Sequence, residues 1–94
     1  ALDASTAALA VAARNCQRHG VAQRVRLVAS DLLAAVADQS FDCIVANLPY
    51  AAGDVLDGLQ PELAWEPRGA LDGGRRGLEP IARLIEQAPA CLVR

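Results

Sequence analysis

The sequence predicts an α/β fold with a parallel sheet built from strand–helix–strand units. Residues 1–3 fit the end of a strand, residues 4–19 fit a helix, and residues 24–29 fit a second strand. Two strands joined by one helix within roughly thirty residues form a unit with parallel strands and a right-handed crossover. The apolar run at residues 41–46 predicts a third strand, of the kind that is buried on both faces of such a sheet.

The helix predicted over residues 4–19 rests on its composition and on its ends. Ser5 and Thr6 suit the N-terminus, alanine, leucine and arginine favour the interior, and His19-Gly20 favours a stop. An apolar stripe at helical spacing is expected to face the sheet. That stripe consists of Leu9, Ala12, Ala13 and Cys16.

The strand predicted at residues 24–29 shows alternation of apolar and polar side chains. Ser30 and Asp31 follow it, and a short helix is expected from Leu32 to Ala37. Asp31 is therefore a candidate N-cap for this helix. The turn at residues 38–40 then leads into the third strand.

Residues 51–74 contain glycines and prolines that interrupt any long element. Long loops in compact domains are usually functional or disordered. We therefore expect this segment, which includes the only tryptophan, Trp65, to be a partly ordered lid that faces the substrate.

A last helix is predicted over residues 77–88, because Pro80 is tolerated in a first turn and Pro89 is expected to end it. Residues 91–94 fit the approach to another strand. The apolar residues of the helix that share one face are Ile81, Leu84, Ile85 and Ala88.

The composition limits the classes of function. The 94 residues make at most one domain, and they contain no methionine, so we expect a piece of a longer protein. The net charge is −2 and all nine basic residues are dispersed arginines, which argues against a dedicated nucleic-acid surface. No stretch is long enough for a membrane span. Cys16, Cys43 and Cys91 lie far apart, which predicts reduced thiols in a cytoplasmic protein and no metal site.

Polar residues follow each of the three predicted strands, where open α/β sheets place their ligand sites. Asp3 follows the first strand, Asp31 follows the second, and residues 47–50 follow the third. An acidic residue at the position of Asp3 can accept hydrogen bonds from ribose hydroxyls, or it can cap the helix that follows. A dehydrogenase site would also fit Asp3, but no other residue supports it.

The segment Asn47-Leu48-Pro49-Tyr50 resembles the N-P-P-Y signature of methyltransferases that alkylate planar nitrogens with S-adenosyl-L-methionine. Residues 66–67 (Glu-Pro), 70–74 (Ala-Leu-Asp-Gly-Gly) and 77–78 (Gly-Leu) are similar to the segment that follows the signature in the HemK/PrmC family. The resemblance covers nearly the whole chain. It implies a partial Rossmann-like class I methyltransferase fold over residues 1–94. It also implies methylation of the glutamine in the Gly-Gly-Gln loop of peptide chain release factors.

The resemblance also implies a cofactor site for S-adenosyl-L-methionine. Asp3 would bind the ribose, Asp31 the adenine amino group, and the Leu32 side chain the adenine face. Asn47 would contact both cofactor and substrate. The glycine-rich loop that wraps the methionine part of the cofactor precedes Asp3 in this fold and is missing, so we expect weak or no cofactor binding by these 94 residues.

The same resemblance implies a catalytic and substrate-binding role for each residue of the signature. The Asn47 side-chain oxygen and the Leu48 carbonyl oxygen would accept hydrogen bonds from the amide NH₂ group. Pro49 would stiffen the turn and exclude water, and Tyr50 would form a wall of the site.

Leu48 departs from the family pattern, in which proline is more common, although leucine retains the carbonyl. Asn-Leu-Pro-Tyr is also frequent in adenine dimethyltransferases that act on ribosomal RNA. A nucleic-acid adenine N6-methyltransferase is therefore the alternative enzyme, and a catalytically silent α/β module is the alternative without chemistry.

Overall fold

The first unit of the chain, Ala1–Gln39, contains one strand–helix–strand motif. The computed structural model describes residues 1–58 and 61–93, apart from the side chain of Asp57, and the second unit begins at Ser40. In the first unit, strand β1 (Leu2–Asp3) is followed by helix α1 (Thr6–Arg18) and strand β2 (Val28–Ala29). The two strands are parallel, with Leu2 opposite Val28 and Asp3 opposite Ala29, which confirms the predicted parallel pair.

Strand β2 is shorter than the strand predicted over residues 24–29. The Arg24 backbone N–H donates to the Val21 carbonyl at 2.9 Å, so this residue belongs to a turn. Pairing with β1 begins at Val28, whose N–H donates to the Ala1 carbonyl at 3.0 Å, and continues at Ser30, whose N–H donates to the Asp3 carbonyl. Only Val28 and Ala29 of the predicted strand are paired in register with β1.

Helix α1 begins two residues after the predicted start and ends one residue before the predicted end, and it has the predicted buried face. The Ser5 side chain is the N-cap and accepts from the Ala8 N–H, and Gly20 adopts a left-handed φ of 66° just after the C-cap His19. The helix residues that are half-buried are those of the predicted stripe: Leu9, Ala12, Ala13 and Cys16.

The most buried side chains of the first unit lie just after β2. Leu33 is 5% exposed and Val36 is 1% exposed. They belong to a short helical segment whose regular part is the 3₁₀ helix Ala34–Val36, shorter than the helix predicted over residues 32–37. Its N-cap residue is Leu33 rather than the candidate Asp31, whose backbone carbonyl accepts from the Ala34 N–H at 3.1 Å. This burial fixes the loop that follows β2.

In the second unit, the prediction of a strand over residues 41–46 was wrong beyond its first residue, Phe41. Phe41 pairs in parallel with Leu92, and its N–H donates to the Cys91 carbonyl at 2.8 Å. The following backbone is irregular, and Val45 is 91% exposed rather than buried on both faces. A strand needs a hydrogen-bonded neighbour along its length, and among the described residues only the segment around Leu92 supplies one.

The pairing of Leu92 agrees with the strand approach predicted at the end of the chain. Arg94, its last residue, lies outside the described residues, as do residues 59–60 of the predicted lid. The described part of that lid contains short helices: the 3₁₀ helices Leu56–Gly58 and Pro61–Trp65, and helix α2 (Arg68–Leu71).

Helix α3 (Glu79–Cys91) has Pro80 in its first turn, as predicted, but it does not end at Pro89. The Leu92 N–H still donates to the Ala88 carbonyl at 3.0 Å, and Cys91 is 1% exposed. Burial of Cys91 therefore accompanies a final turn that continues past the proline. Ile85, predicted to face the core, is 66% exposed, whereas the other three predicted core positions of the helix are half-buried.

Candidate active site

Asp3 lies where strand β1 ends, as the sequence predicts, and its side chain is exposed. The Asp3 Oδ1 atom accepts a hydrogen bond from the Ser5 N–H at 2.8 Å. Ser5 itself caps α1, so the aspartate holds the turn between β1 and α1 without being the N-cap. One carboxylate oxygen thus fixes the turn, and Oδ2 is the oxygen suited to a ligand hydroxyl.

Asp31 and Leu32 lie just beyond the end of β2, which runs parallel to β1. The carboxyl ends of parallel neighbours meet at one edge of a sheet, so Asp3 and Asp31 belong to the same edge of the first unit. Both side chains are exposed. The parallel pairing thus places at one sheet edge the two acidic residues that the sequence predicted for a cofactor.

Leu32 has a φ of 50°, in the left-handed region that leucine rarely adopts. A buried hydroxyl holds this conformation: Ser30 Oγ donates to the Leu32 carbonyl at 2.8 Å and accepts from the Ala35 N–H at 3.0 Å. Non-glycine residues in such conformations cost about 1–3 kcal/mol and concentrate at functional sites. The strain lies at the residue that the resemblance assigned to the adenine face.

The signature residues Asn47, Leu48, Pro49 and Tyr50 lie in the second unit, in an irregular segment. Asn47 is exposed, Leu48 and Pro49 are half-buried, and Tyr50 is 73% exposed. Among the described residues, no hydrogen bond is recorded for the Asn47 side chain or the Leu48 carbonyl. The two acceptors that the sequence predicts for substrate are therefore not engaged by the described part of the chain.

Backbone contacts fasten the segment after Tyr50 to a glycine-rich turn, and we call residues 51–53 together with residues 71–77 the glycine clasp. Ala51 pairs in parallel with Asp72. The Ala51 N–H donates to the Leu71 carbonyl at 2.9 Å, and the Gly73 N–H donates to the Ala51 carbonyl at 2.8 Å. The Gly53 N–H donates to the Gly74 carbonyl at 3.0 Å.

The glycine clasp is packed so closely that side chains would not fit at its centre. A methyl group on Gly73 would lie 2.6 Å from the Gly77 carbonyl oxygen. A methyl group on Gly77, which has a φ of 74°, would overlap the Tyr50 carbonyl oxygen. Glycine is needed for close approach at the first position, and for approach and backbone conformation at the second.

Two acidic side chains secure the glycine-rich turn itself. Asp72 Oδ1 accepts from the Gly74 N–H at 2.9 Å, and Glu79 Oε1 accepts from the Arg76 N–H at 3.3 Å. The pKa of the Glu79 carboxyl lies below its ordinary value, first because of its own backbone N–H and then because of neighbouring backbone N–H groups, whereas desolvation acts in the opposite direction. The carboxylate form therefore suits this turn.

Residues 71–77 of the glycine clasp overlap the motif segments that the sequence offers, whereas residues 51–53 belong to no motif, and the contact between the two halves was not predicted. The sequence signal that could have revealed it is the spacing of Gly73, Gly74 and Gly77. Three glycines within five residues indicate that another backbone approaches closely. The structure shows that this other backbone directly follows the signature.

Among the residues the structure describes, no group of three or more His, Cys, Asp or Glu side chains is arranged to hold a metal ion. Within the same described residues, no helix has the length and apolar character needed to cross a membrane. The candidate site residues are the two carboxylates of the first unit and, separately, the signature and the glycine clasp of the second unit.

The family model described as "Methyltransferase small domain" matches residues 1–67, which is more than half of the chain. The chain belongs to the methyltransferase small domain family. This assignment agrees with the predicted α/β methyltransferase fold. A methyltransferase family implies a methyl donor.

Similar proteins extend the likeness of this methyltransferase-domain chain beyond residue 67. It is 43% identical over 89 residues to the ribosomal protein uL3 glutamine methyltransferase of Bradyrhizobium diazoefficiens, covering 95% of the chain and 28% of the relative. It is 44% identical over 92 residues to the release factor glutamine methyltransferase of Geobacter sulfurreducens, and this match covers 97% of the chain and 32% of the relative. It is 46% identical over 93 residues to the release factor glutamine methyltransferase of Cereibacter sphaeroides, and this match covers 98% of the chain and 33% of the relative.

These matches include the second half of the glycine clasp, which the family model does not cover. The chain spans about a third of the length of the curated relatives it matches. No solved structure matches the chain.

Proposed function

We propose that the protein carrying this chain transfers a methyl group from S-adenosyl-L-methionine to the side-chain amide nitrogen of a glutamine, in the Gly-Gly-Gln loop of a peptide chain release factor. The observation that carries the proposal is the likeness, over 97–98% of the chain, to two proteins named release factor glutamine methyltransferases. That likeness includes the signature and the clasp segment together. We expect this reaction to take place in the cytoplasm.

The carboxylate edge of the first unit suits the ribose and adenine parts of this cofactor. Asp3 presents an exposed carboxylate whose Oδ1 accepts a hydrogen bond from the Ser5 N–H, and its Oδ2 would accept from a ribose hydroxyl. Asp31 would accept from the adenine amino group, and the half-buried Leu32 side chain would cover the ring. When bound, the cofactor supplies an electrophilic methyl group.

The signature supplies orientation, because an amide nitrogen is a poor nucleophile. Its lone pair is delocalised into the carbonyl, so the NH₂ group must be held in line with the methyl group. The Asn47 side-chain oxygen and the Leu48 carbonyl oxygen would accept hydrogen bonds from the two N–H groups of the substrate amide. Orientation of this kind can lower a barrier by about 7–11 kcal/mol in the best intramolecular cases.

Pro49 and Tyr50 are the remaining two residues of the signature. Pro49 restricts the turn that presents the Leu48 carbonyl, and the exposed Tyr50 ring would form a wall beside the planar amide. The Tyr50 carbonyl abuts Gly77, so the glycine clasp limits movement of the signature at its carboxyl side. The clasp thus acts as a support for the orienting residues.

Ribosomal protein uL3 is a second candidate substrate, because the Bradyrhizobium diazoefficiens relative is named for it and covers 95% of the chain. Both substrates present a glutamine amide, so the signature would act in the same way on either. The adenine N6-methyltransferase alternative gains no support from the three relatives described above, whose names specify glutamine.

The test uses the full-length protein with labelled S-adenosyl-L-methionine. Label is expected on a release factor and not on the same factor with its loop glutamine changed to alanine. Asn47→Ala should lower the rate about a hundredfold, because the amide loses one of its orienting acceptors. Transfer to uL3 alone would change the substrate assignment, and transfer to ribosomal RNA or DNA in place of both proteins would overturn glutamine methylation.

A further inference from the structure

A cleft of about 670 Å³ lies beside the glycine clasp in the second unit. It is lined by Gly53, Asp54, Arg75 and Arg76. Its volume falls within the range of about 300–1,000 Å³ that is usual for small ligand sites. The roles proposed above for the signature and the carboxylate edge do not use these side chains.

The charge of the cleft favours a carboxylate ligand. Arg75 and Arg76 are the only adjacent arginines in the sequence, and both are exposed. Within the described residues, no ion pair is recorded for either guanidinium group. A guanidinium group matches a carboxylate through two parallel hydrogen bonds, so this pair of side chains offers several donors to an acidic group.

Asp54 makes the cleft selective between classes of anion. Its negative charge offsets part of the positive charge of the two arginines, so the described lining residues carry a net charge of about +1 at neutral pH. A single carboxylate on a peptide is still attracted, whereas a nucleic acid, with a phosphate at every nucleotide, is also repelled by Asp54 and by the net charge of −2.

The glycine clasp fixes the distance between this cleft and the signature. Gly53 follows Tyr50 by three residues, so its Cα lies within about 11 Å of the Tyr50 Cα even in a fully extended chain. The opposite wall is joined to the first by the hydrogen bond from the Gly53 N–H to the Gly74 carbonyl, 3.0 Å. A peptide whose glutamine lies at Tyr50 has its neighbouring residues within reach of the cleft.

We infer that the cleft lined by Arg75 and Arg76 binds an acidic side chain of the protein substrate, a few residues from the glutamine that is methylated. This inference rests on the proposed function for the reaction, but the binding of an acidic peptide does not depend on methyl transfer. The cleft selects the substrate, whereas Asn47 and Leu48 orient the reacting amide.

The test compares two peptides that contain Gly-Gly-Gln and differ only in their flanking residues, which are aspartate and glutamate in one and asparagine and glutamine in the other. With the full-length protein, kcat/KM should be about fivefold higher for the acidic peptide, as expected for two exposed ion pairs. The double variant Arg75→Gln with Arg76→Gln should lose this preference, so that its kcat/KM values for the two peptides become equal. Asp54→Asn should increase the preference.

The matched control is the double variant Arg14→Gln with Arg18→Gln, which removes the same charge from helix α1 of the other unit. It should keep the preference for the acidic peptide. An equal loss of preference in both double variants would overturn the cleft assignment, because it would reflect net charge alone. An unchanged preference in the Arg75 and Arg76 variant would overturn it as well.

Fluorescence anisotropy of the labelled acidic peptide separates this inference from the proposed reaction. Binding that weakens about fivefold in the Arg75 and Arg76 variant, without methylation of any peptide, would support the cleft and count against glutamine methylation. Equal methylation rates and equal affinities for the two peptides would support the reaction and refute the role of the cleft in substrate binding. If the Arg75 and Arg76 variant loses affinity for a labelled short RNA but not for the acidic peptide, the cleft is assigned to phosphate and the inference is overturned.

Discussion

The close approach at Gly73 gives the sharpest prediction about the glycine clasp. In Gly73→Ala the new methyl carbon would lie 2.6 Å from the Gly77 carbonyl oxygen and 2.8 Å from the Gly77 Cα. Such contacts are not found below 3.0 Å, so the two backbones must separate by at least 0.4 Å. Overpacking of this kind costs about 1–3 kcal/mol, and we expect the free energy of unfolding to fall by that amount.

The same separation should reduce catalysis by the full-length protein, because the clasp supports the signature through Tyr50. A 1 Å displacement of reacting groups can cost about a hundredfold, so a shift of 0.4 Å corresponds to a loss of about sixfold in kcat. The assays are urea unfolding and methyl transfer to the release factor. Gly58→Ala is the matched control, since a methyl group there meets nothing within 4 Å. If the two alanine variants are equally stable and equally active, the clasp does not support the signature.

Three further changes test the remaining features of the site. Gly77→Ala should destabilise the protein more than Gly20→Ala in urea unfolding, because both residues have positive φ but only Gly77 abuts another backbone; equal losses would refute the close approach. Leu32→Val should cost about 1–2 kcal/mol more than Leu32→Asn, since asparagine tolerates the left-handed region and a β-branched residue does not. The Glu79 carboxylate stabilises the folded state above its ordinary pKa of 4.5, and this contribution is lost as the pH falls towards its lower folded-state pKa. In Glu79→Gln, the free energy of unfolding should therefore differ less between neutral pH and about pH 3 than it does in the wild type. An unchanged difference would exclude this stabilising role of the Glu79 carboxylate.

The sequence predicted the first unit well because its signals are local. The capping serine Ser5, the apolar stripe and the glycine after His19 all lie within α1 and determine its ends and its buried face. The parallel pairing followed from connectivity alone. The strain at Leu32 was not predictable, because it depends on the buried Ser30 hydroxyl and on burial of the residues that follow.

The second unit was harder to predict because its order depends on contacts between distant segments. Residues 42–46 have a strand-like composition but lack a paired neighbour among the described residues, so their composition did not determine their conformation. Ile85 fits an apolar helical face and is nevertheless exposed. The pairing of Ala51 with Asp72 joins positions 21 residues apart and leaves no periodic pattern in the sequence.

The glycine clasp is held mainly by main-chain atoms, and this has a consequence for how the protein can diverge. Hydrogen bonds between N–H and carbonyl groups do not depend on the identity of the side chains at Ala51, Leu71 or the exposed turn. Residues such as Asp54, Arg75 and Arg76 can therefore change without moving the frame that carries the signature. Under the proposed function, related proteins could therefore change which glutamine-containing substrate they bind by altering only these exposed side chains, while the signature that orients the amide stays the same.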